Sequence, residues 1–327
     1  MKLPPEYKIT SEILDLIAKI EANKIFLSSL NISNLLKEKI QRTSTLKSSL
    51  FSARIEGNPL TLNEIQHEIG DAQKKQEIFN ILKAIKFIDK NIKTGTKISE
   101  KLILDLHSII MQDLTSERGE FRREVSAIFN QAGVAVYLPP PPAQIKRLIK
   151  RLLNYLNSGC EKFPLINAFI SHLIFEKIHP FINGNGRVGR LLIFSILKSK
   201  DENYNMFVPF EEYLDENRNE YYYHLDNGLN NTQDYLIFML NAFYFEIEQV
   251  KKIINSELER KESLFLPPRQ EEIYHIIKDH VIVSFDMVRR RFLKVPGRTI
   301  RYDLKKLHDI NLIIKIGKTK GSYYKIK

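Results

Sequence analysis

Apolar residues recur every three or four positions along most of the first 260 residues, a spacing typical of amphipathic helices. The pattern predicts helices over residues 11–27, 32–51, 62–69, 72–92, 99–114, 143–156, 164–178, 188–197, 210–225 and 233–258. Apolar faces that repeat in this way must bury against one another. We therefore expect a mainly α chain whose larger part is a helical bundle.

One stretch in this region alternates instead. Residues 125–129 and 134–138 are rich in β-branched and aromatic side chains, and they flank the glycine-containing loop 130–133. Two such runs around a short loop predict a β-hairpin, which the prolines at 139–142 bring to an end. Without further information, the hairpin could be a decoration on a helical domain.

The pattern changes after a predicted linker at residues 261–268. Helical spacing predicts three short helices over residues 270–278, 284–292 and 297–308, and alternation predicts strands over 312–316 and 322–326. Three helices followed by a hairpin is the order of a winged helix-turn-helix. Residues 269–327 are thus expected to form a second, small α+β domain.

The positive charge of the chain is concentrated in this second domain. The net charge is +11, and residues 269–327 hold 15 Lys and Arg against 6 Asp and Glu, which accounts for nine of these charges. Such a footprint predicts contact with the phosphates of duplex DNA, and a domain used only for protein contacts is the alternative. The residues expected to contact DNA lie on the third helix and the wing: Arg298, Arg301, Lys305, Lys306, Lys318 and Lys320.

Composition limits the cellular setting. No apolar stretch is long enough to predict a transmembrane helix, and the first residues lack an apolar signal core. The single cysteine, Cys160, excludes an internal disulfide and suits a reducing compartment. We expect a cytoplasmic protein without a membrane partner.

The most informative run is residues 179–190, His-Pro-Phe-Ile-Asn-Gly-Asn-Gly-Arg-Val-Gly-Arg. Gly184 and Gly186 allow close backbone approach near a helix start, where free N–H groups attract anions. Arg187 and Arg190 lie one helical turn apart and suit phosphate oxygens, and His179 can act as a base near neutral pH. The run therefore predicts an anion site beside a base; a glycine-rich turn with solvated arginines is the alternative.

This run resembles the signature of the Fic family, His-x-Phe-x-(Asp/Glu)-Gly-Asn-Gly-Arg-x-x-Arg, at every defining position except one. The resemblance extends over about residues 40–230. It implies a Fic-type helical bundle with residues 1–95 as an N-terminal helical region and residues 96–260 as the core. The hairpin would be the flap over the active site, where a segment of the target protein could add as a strand.

The activity implied by the resemblance is transfer of AMP from ATP to a Ser, Thr or Tyr hydroxyl of a protein. His179 would take the proton of that hydroxyl, and Phe181 would anchor the loop. Gly184, Asn185 and Gly186 would hold the α- and β-phosphates, Arg187 the β-phosphate and Arg190 the γ-phosphate. These roles amount to positioning and charge stabilisation, as in phosphoryl transfer generally.

The exception is Asn183, which stands where the family has an acidic ligand of Mg²⁺ or Mn²⁺. An amide offers an oxygen but no negative charge, so weaker metal binding and slower transfer are expected. A different phosphate donor is a second possibility. A third is a degenerate enzyme that only senses nucleotide and regulates through DNA binding.

Residues 52–57, Ser-Ala-Arg-Ile-Glu-Gly, resemble the Fic inhibitory motif, (Ser/Thr)-x-x-x-Glu-(Gly/Asn). On its own this stretch indicates only a helix that ends at Glu56 and turns at Gly57. The resemblance implies that Glu56 pairs with Arg190 and prevents ATP from seating, with Ser52 fixing the helix. The intact motif favours an autoinhibited transferase over the degenerate enzyme.

The remaining candidates are less specific. Asn217 and Tyr222 resemble a family stretch that borders the adenine pocket, although tyrosines packed on the bundle are the alternative. His107 and His172 are interpreted as core histidines. The target protein is not identified, and a homodimer is possible because relatives pair through helical surfaces.

Overall fold

The computed structural model describes the whole chain except residues 1–2, 31, 33, 67–69, 130–134, 202–207, 263–265, 281 and 318–321. The chain divides into two compact units, residues 1–255 and 256–327. The division falls inside a long helix that continues to Glu262, so the first residues of the predicted linker are helical.

The first unit is the predicted helical bundle. Its helices are α1 (Ser11–Ser29), α2 (Asn34–Ile55), α3 (Leu62–Gln66), α4 (Ala72–Asn91), α5 (Glu100–Ile110), α6 (Pro142–Asn157), α7 (Pro164–Ile178), α8 (Asn185–Lys200), α9 (Glu211–Glu216), α10 (Arg218–Asn227) and α11 (Thr232–Glu262). None of the described helices is long and apolar enough to cross a membrane.

Helix α7 lies at the centre of this bundle. Thirteen of its fifteen residues are buried, since its sequence is apolar on nearly every face. Pro164 opens the helix, where the missing N–H costs no hydrogen bond. Helix α8 follows α7 after six residues and packs along it, so the intervening loop is held between two buried helices.

Several helices differ from their predicted bounds, and two of the differences lie in or after the signature run. The helix predicted over residues 210–225 is wrong as a single element, because the backbone leaves helical geometry at Asn217 (φ −111°, ψ 39°) and separates α9 from α10. Both the backbone N–H and the side-chain amide of Asn217 donate to the carbonyl of Tyr213, at 3.0 and 2.9 Å. Helix α8 begins at Asn185, three residues before its predicted start.

The predicted hairpin is present, but its strands are shorter. Strands β1 (Ile128–Phe129) and β2 (Ala135–Tyr137) pair antiparallel, with Ile128 opposite Tyr137. Val125 and Leu138, which were predicted as strand residues, lie outside the ladder and are strongly exposed. The predicted turn at 130–133 lies outside the described residues.

The second unit contains α12 (Pro268–His280), β3 (Ile282–Ser284), α13 (Phe285–Arg291), α14 (Gly297–Asp309), β4 (Ile313–Ile316) and β5 (Tyr323–Ile326). Its antiparallel sheet has the order β3-β5-β4. The short strand β3 was not predicted. The core of the unit is a single cluster: Ile273, Ile277, Val283, Val288, Phe292, Ile300, Leu304, Leu307, Ile313 and Tyr324.

Candidate active site

The loop between α7 and α8 carries the signature run in a tightly turned backbone. His179 ends α7 in the left-handed region (φ 48°), and Gly184 precedes α8 in the same region (φ 81°). A left-handed histidine is uncommon and needs support from its surroundings. Arg122 supplies it: its Nε donates to the His179 carbonyl at 2.8 Å, and its backbone N–H donates to the Pro180 carbonyl at 2.9 Å.

Asn185 closes the loop with its side chain. Its Oδ1 accepts from the Phe181 N–H at 2.9 Å, and its Nδ2 donates to the Phe181 carbonyl at 2.8 Å. Both polar groups of this buried amide are therefore occupied. Any contribution of Asn185 to phosphate binding, which we predicted, would come from its backbone N–H at the start of α8.

Phe181 anchors the loop, as expected. Its ring is fully buried and packs near those of Phe121 and Phe175, at centroid distances of 5.5 and 6.3 Å. The ring of His107 stacks on it at 3.7 Å. His107 is thus buried, as its interpretation as a core histidine requires, but it also lies against the loop.

Arg187 and Arg190 are both buried, so their positive charges require compensating groups nearby. Arg187 is 9% exposed, and its Nε has no hydrogen-bond partner among the described residues. Arg190 is 1% exposed and makes three hydrogen bonds: Nε donates to Ser52 Oγ at 2.9 Å, and Nη2 donates to the Ser52 carbonyl at 2.8 Å and to Glu56 Oε1 at 3.0 Å. Burial acts to lower the pKa of Arg190, but the Glu56 carboxylate raises it overall.

Glu56 also covers the loop itself. A Cβ added at Gly186 would lie 2.2 Å from Glu56 Oε1, so only glycine leaves room for the carboxylate here. Glu56 follows the last residue of α2 and precedes Gly57, whose φ is 91°. The carboxylate therefore occupies the start of α8, where the predicted anion would bind.

His179 is held in its neutral form. Burial lowers the pKa of its imidazole to about 4, against the smaller opposing effects of the Glu176 carbonyl and the Glu56 carboxylate. Its Nδ1 has no hydrogen-bond partner among the described residues. A neutral imidazole beside the anion loop can accept a proton at neutral pH.

Behind Arg190 lies a buried polar group that the sequence did not lead us to expect. His172 Nε2 pairs with the Tyr221 hydroxyl at 2.9 Å, and His172 Nδ1 faces Glu176 Oε1 at 3.7 Å. Burial raises the pKa of Glu176 to about 8, although Arg190 lowers it. The available signal was a carboxylate and a histidine one turn apart on a helix that is otherwise buried.

The structure brings one of the two predicted base-stacking residues to the site. The Tyr222 hydroxyl donates to the Ile55 carbonyl at 3.1 Å, at the end of the helix that precedes Glu56. Asn217 instead donates within its own turn, to Tyr213. Tyr222 thus lies beside residues 52–57, whereas the hydrogen bonds of Asn217 stay within its own turn.

Asn183 has an exposed side chain and lines a cavity of about 290 Å³ together with His107, Phe121, Arg122, Glu124 and others. This cavity lies on the Asn183 side of the loop, whereas Glu56 fills the space over Gly186. No group of three or more His, Cys, Asp or Glu in the described chain could hold a metal ion. The described side chains alone therefore do not form a metal site.

Comparison with known proteins identifies this region. Residues 97–197, which include the hairpin, α7, the loop and most of α8, match the Fic/DOC family. These residues are a Fic/DOC domain. Its helical fold agrees with the mainly α prediction made from the sequence.

The relatives of the Fic/DOC domain include curated proteins of known name. The protein adenylyltransferase Fic of Drosophila willistoni is 29% identical over 192 residues, which are 55% of this chain and 37% of the relative. That of Drosophila yakuba is 28% identical over 220 residues, or 64% of this chain and 42% of the relative. The chain spans about two fifths of the length of these relatives.

Solved structures share the fold over a larger part of the chain. A Fic family protein from Desulfovibrio desulfuricans G20 has a TM-score of 0.75 and 22% identity, and the match covers 99% of this chain and 98% of that one. Fic-1 (residues 134–508) from C. elegans has a TM-score of 0.63 and 20% identity, covering 75% and 73%. At these identities the similarity concerns the fold alone.

We predict that Glu176→Gln stabilises the protein more at pH 8 than at pH 5. The unfolded carboxyl ionises as the pH rises past its ordinary value of 4.5, whereas the folded one stays protonated until about 8. Keeping it neutral therefore costs stability that grows across this window, up to about 4 kcal/mol at pH 8. Urea unfolding of the variant and the wild type at both pH values measures the difference.

The exposed Glu12 on α1 provides a matched control, because Glu12→Gln is the same substitution at a position in contact with solvent. An equal effect of Glu176→Gln at both pH values would contradict the assignment of a neutral buried carboxyl.

Proposed function

We propose that this protein is an autoinhibited protein adenylyltransferase that moves AMP from ATP to a Ser, Thr or Tyr hydroxyl of a protein, which can be the protein itself. The names of the curated relatives support this activity, although the chain spans only part of their length. The arrangement of His179, the glycine loop and two arginines supports it independently.

In the proposed reaction, neutral His179 accepts the proton of the target hydroxyl through an imidazole nitrogen. The hydroxyl oxygen forms a bond to the α-phosphorus, and the bond from the α-phosphorus to the bridging oxygen breaks, so pyrophosphate leaves with the electron pair. The N–H groups at the start of α8 and the two arginines face the phosphates and stabilise the charge that develops on them.

The observation that carries the proposal of autoinhibition is the position of Glu56. Its carboxylate lies on Gly186 and pairs with Arg190, so it occupies both the space and the charge that a nucleotide phosphate needs. A carboxylate and a phosphate cannot share one buried guanidinium without strong repulsion. ATP would then bind productively only after Glu56 leaves.

A metal would have to be held mainly by the nucleotide. Asn183 can offer one neutral amide oxygen, and the described side chains supply no carboxylate cluster. Mg²⁺ or Mn²⁺ would supply charge neutralisation on the phosphates when bound. We therefore assign no step of the reaction to a protein-held metal.

The second candidate function is DNA binding by residues 256–327, in a regulator whose Fic/DOC domain is catalytically weak and senses nucleotide. The favouring observation is the division of α14 into two faces. Ile300, Leu304 and Leu307 are buried in the core of the unit, whereas the basic side chains on the opposite face are exposed: Arg298, Arg301, Lys305 and Lys306. Lys318 and Lys320, also predicted as contacts, lie outside the described residues.

The basic face of α14 is partly preorganised. The Arg301 guanidinium lies over the Phe285 ring at 4.3 Å from its centroid, and Lys306 lies over Tyr302 at 5.7 Å. These contacts hold the charges without neutralising them. An exposed helix with fixed basic side chains suits duplex phosphates, and so we also propose that the second unit is a winged helix that binds DNA.

The first prediction from this proposal concerns the contact of Glu56 with Arg190. Glu56→Gly should raise the transfer of labelled AMP from ATP at least about tenfold, because the carboxylate no longer competes with ATP for Arg190. Removing a competing interaction of about 1.4 kcal/mol corresponds to a factor of about ten. Glu56→Gln, which keeps the length but removes the charge, should give an intermediate rate. Incubation with labelled ATP and Mg²⁺ or Mn²⁺, followed by counting of protein-bound label, measures both.

The control is Glu56→Gly combined with His179→Ala, which should abolish the label. Retention of label in the double variant would show that His179 is not the base. Absence of label from Glu56→Gly would reject the transferase and leave the nucleotide-sensing regulator.

The second prediction concerns Asn183. In the Glu56→Gly background, Asn183→Asp should lower the Mn²⁺ concentration needed for half-maximal transfer by about tenfold, because a carboxylate adds a charged oxygen ligand. Mn²⁺ binding in the presence of a non-hydrolysable ATP analogue, followed by electron paramagnetic resonance, should tighten in parallel. No tightening in either measurement would mean that this position does not face the metal.

The third prediction concerns α14. Arg298→Glu and Lys305→Glu should each weaken binding to duplex DNA and reduce the slope of log K against log salt by about 1, because each removes one phosphate contact. Fluorescence anisotropy of labelled duplexes over a salt series measures the slope. Lys278→Glu on α12 is the matched control and should leave the slope nearly unchanged. Absence of binding by the wild type at low salt would remove this function.

A further inference from the structure

His107 has more partners than a packing role requires. Its side chain, on α5, is buried at 2% exposure, and its ring lies flat on Phe181, with centroids 3.7 Å apart and planes inclined by 2°. The Gly119 N–H donates to its Nδ1 at 2.9 Å, and its Nε2 lies 3.1 Å from the Asn183 carbonyl oxygen. Every polar atom of a fully enclosed ring is thus engaged.

These two contacts fix the tautomer. A backbone N–H can only donate, so Nδ1 must be the unprotonated acceptor, and Nε2 must carry the hydrogen that it donates to Asn183. A ring that accepts at Nδ1 and donates at Nε2 carries one hydrogen and is therefore neutral.

The backbone carbonyl of Asn183 is the part of the loop to which His107 donates its hydrogen bond. The loop's beginning is fixed by Arg122 at His179 and Pro180, and Asn185 pins Phe181. Among the described residues, the only hydrogen bond to Asn183 is the one from His107.

The last turn of α5 supports the same part of the loop by packing. A Cβ at Gly184 would lie 3.0 Å from Met111 Sδ and 3.1 Å from Ile110 Cδ1, and Arg187 Nη2 lies 3.6 Å from the same sulfur. The end of α5 and Met111 therefore lie directly beneath the loop, and His107 adds a hydrogen bond to the loop backbone from the same side.

We propose that His107 is a positioning residue, which uses its Nε2–H···O=C bond to Asn183 and its stack on Phe181 to fix the loop that presents His179 and Asn183 to the nucleotide. The role in catalysis rests on the transferase proposed above. His107 touches no reacting atom; it acts through the backbone of the loop.

The two hydrogen bonds can be separated by substitution, which distinguishes positioning from packing. Glutamine reaches with its amide N–H to the place of Nε2, so His107→Gln keeps the donor to Asn183 and loses the acceptor for Gly119. Asparagine reaches only to the place of Nδ1, so His107→Asn keeps the acceptor and loses the donor. His107→Phe keeps the stack and loses both.

In the Glu56→Gly background, we expect His107→Asn and His107→Phe to lower kcat at least about tenfold with the KM for ATP changed less than about twofold. His107→Gln should retain kcat within about threefold. A residue that only packs would instead give losses that follow the unfolding temperature of each variant, with phenylalanine the least harmful.

Amide hydrogen exchange gives a readout that does not need activity. Peptides covering residues 181–186 should exchange faster in His107→Asn and His107→Phe than in His107→Gln, while those of α7 stay unchanged. Equal exchange in the glutamine and asparagine variants would overturn the proposal. Faster loop exchange in His107→Asn, but no transfer by Glu56→Gly itself, would support the positioning of the loop and reject the transferase.

A measurement on His107 in the wild-type protein tests the proposal even if a variant fails to fold. With ¹⁵N-labelled histidine, the nuclear magnetic resonance shifts of His107 should report hydrogen on Nε2 and none on Nδ1. Hydrogen on Nδ1 would exclude both contacts and overturn the assignment.

Discussion

The burial of Arg190 is the constraint on which the site depends. A guanidinium at 1% exposure is unstable unless its charge and its N–H groups are satisfied. Ser52 and Glu56 meet this need with three hydrogen bonds, so the end of α2 is part of the electrostatic balance of the Fic/DOC domain and not an appendage to it. In the transferase proposed above, a phosphate of ATP would take the place of the Glu56 carboxylate at this guanidinium.

The two partners of Arg190, Ser52 and Glu56, are not held equally firmly. Ser52 is buried within α2, which is held to α9 by ion pairs of Lys47 with Glu212 and of Arg54 with Asp215. Glu56 lies beyond the helix in a turn, and its side chain is 31% exposed. Its carboxylate can therefore leave by a local change at Glu56 and Gly57, while the helix and the Ser52 contacts keep Arg190 in position.

The sequence was sufficient for some of the local features. Apolar spacing predicted α7 with its observed bounds, and the glycines and arginines of the loop could be read from their positions alone. The break at Asn217 was missed because no glycine or proline marks it; a side-chain bond to Tyr213 makes it. Strand β3 was missed because three residues carry too little alternation, and its pairing with β5, some forty residues later, defines it.

Two groups of site residues escaped prediction. His107 and Arg122 contact the loop from more than 50 residues away along the chain, whereas Glu176 and His172, whose ring pairs with Tyr221, pack against Gly189 of the signature run from the preceding helix. Spacing within a motif encodes the groups that would meet a ligand. It carries no information about what holds those groups still. That support is decided by tertiary packing, and so the features of this protein that set its activity apart are to be sought around the loop as much as within it.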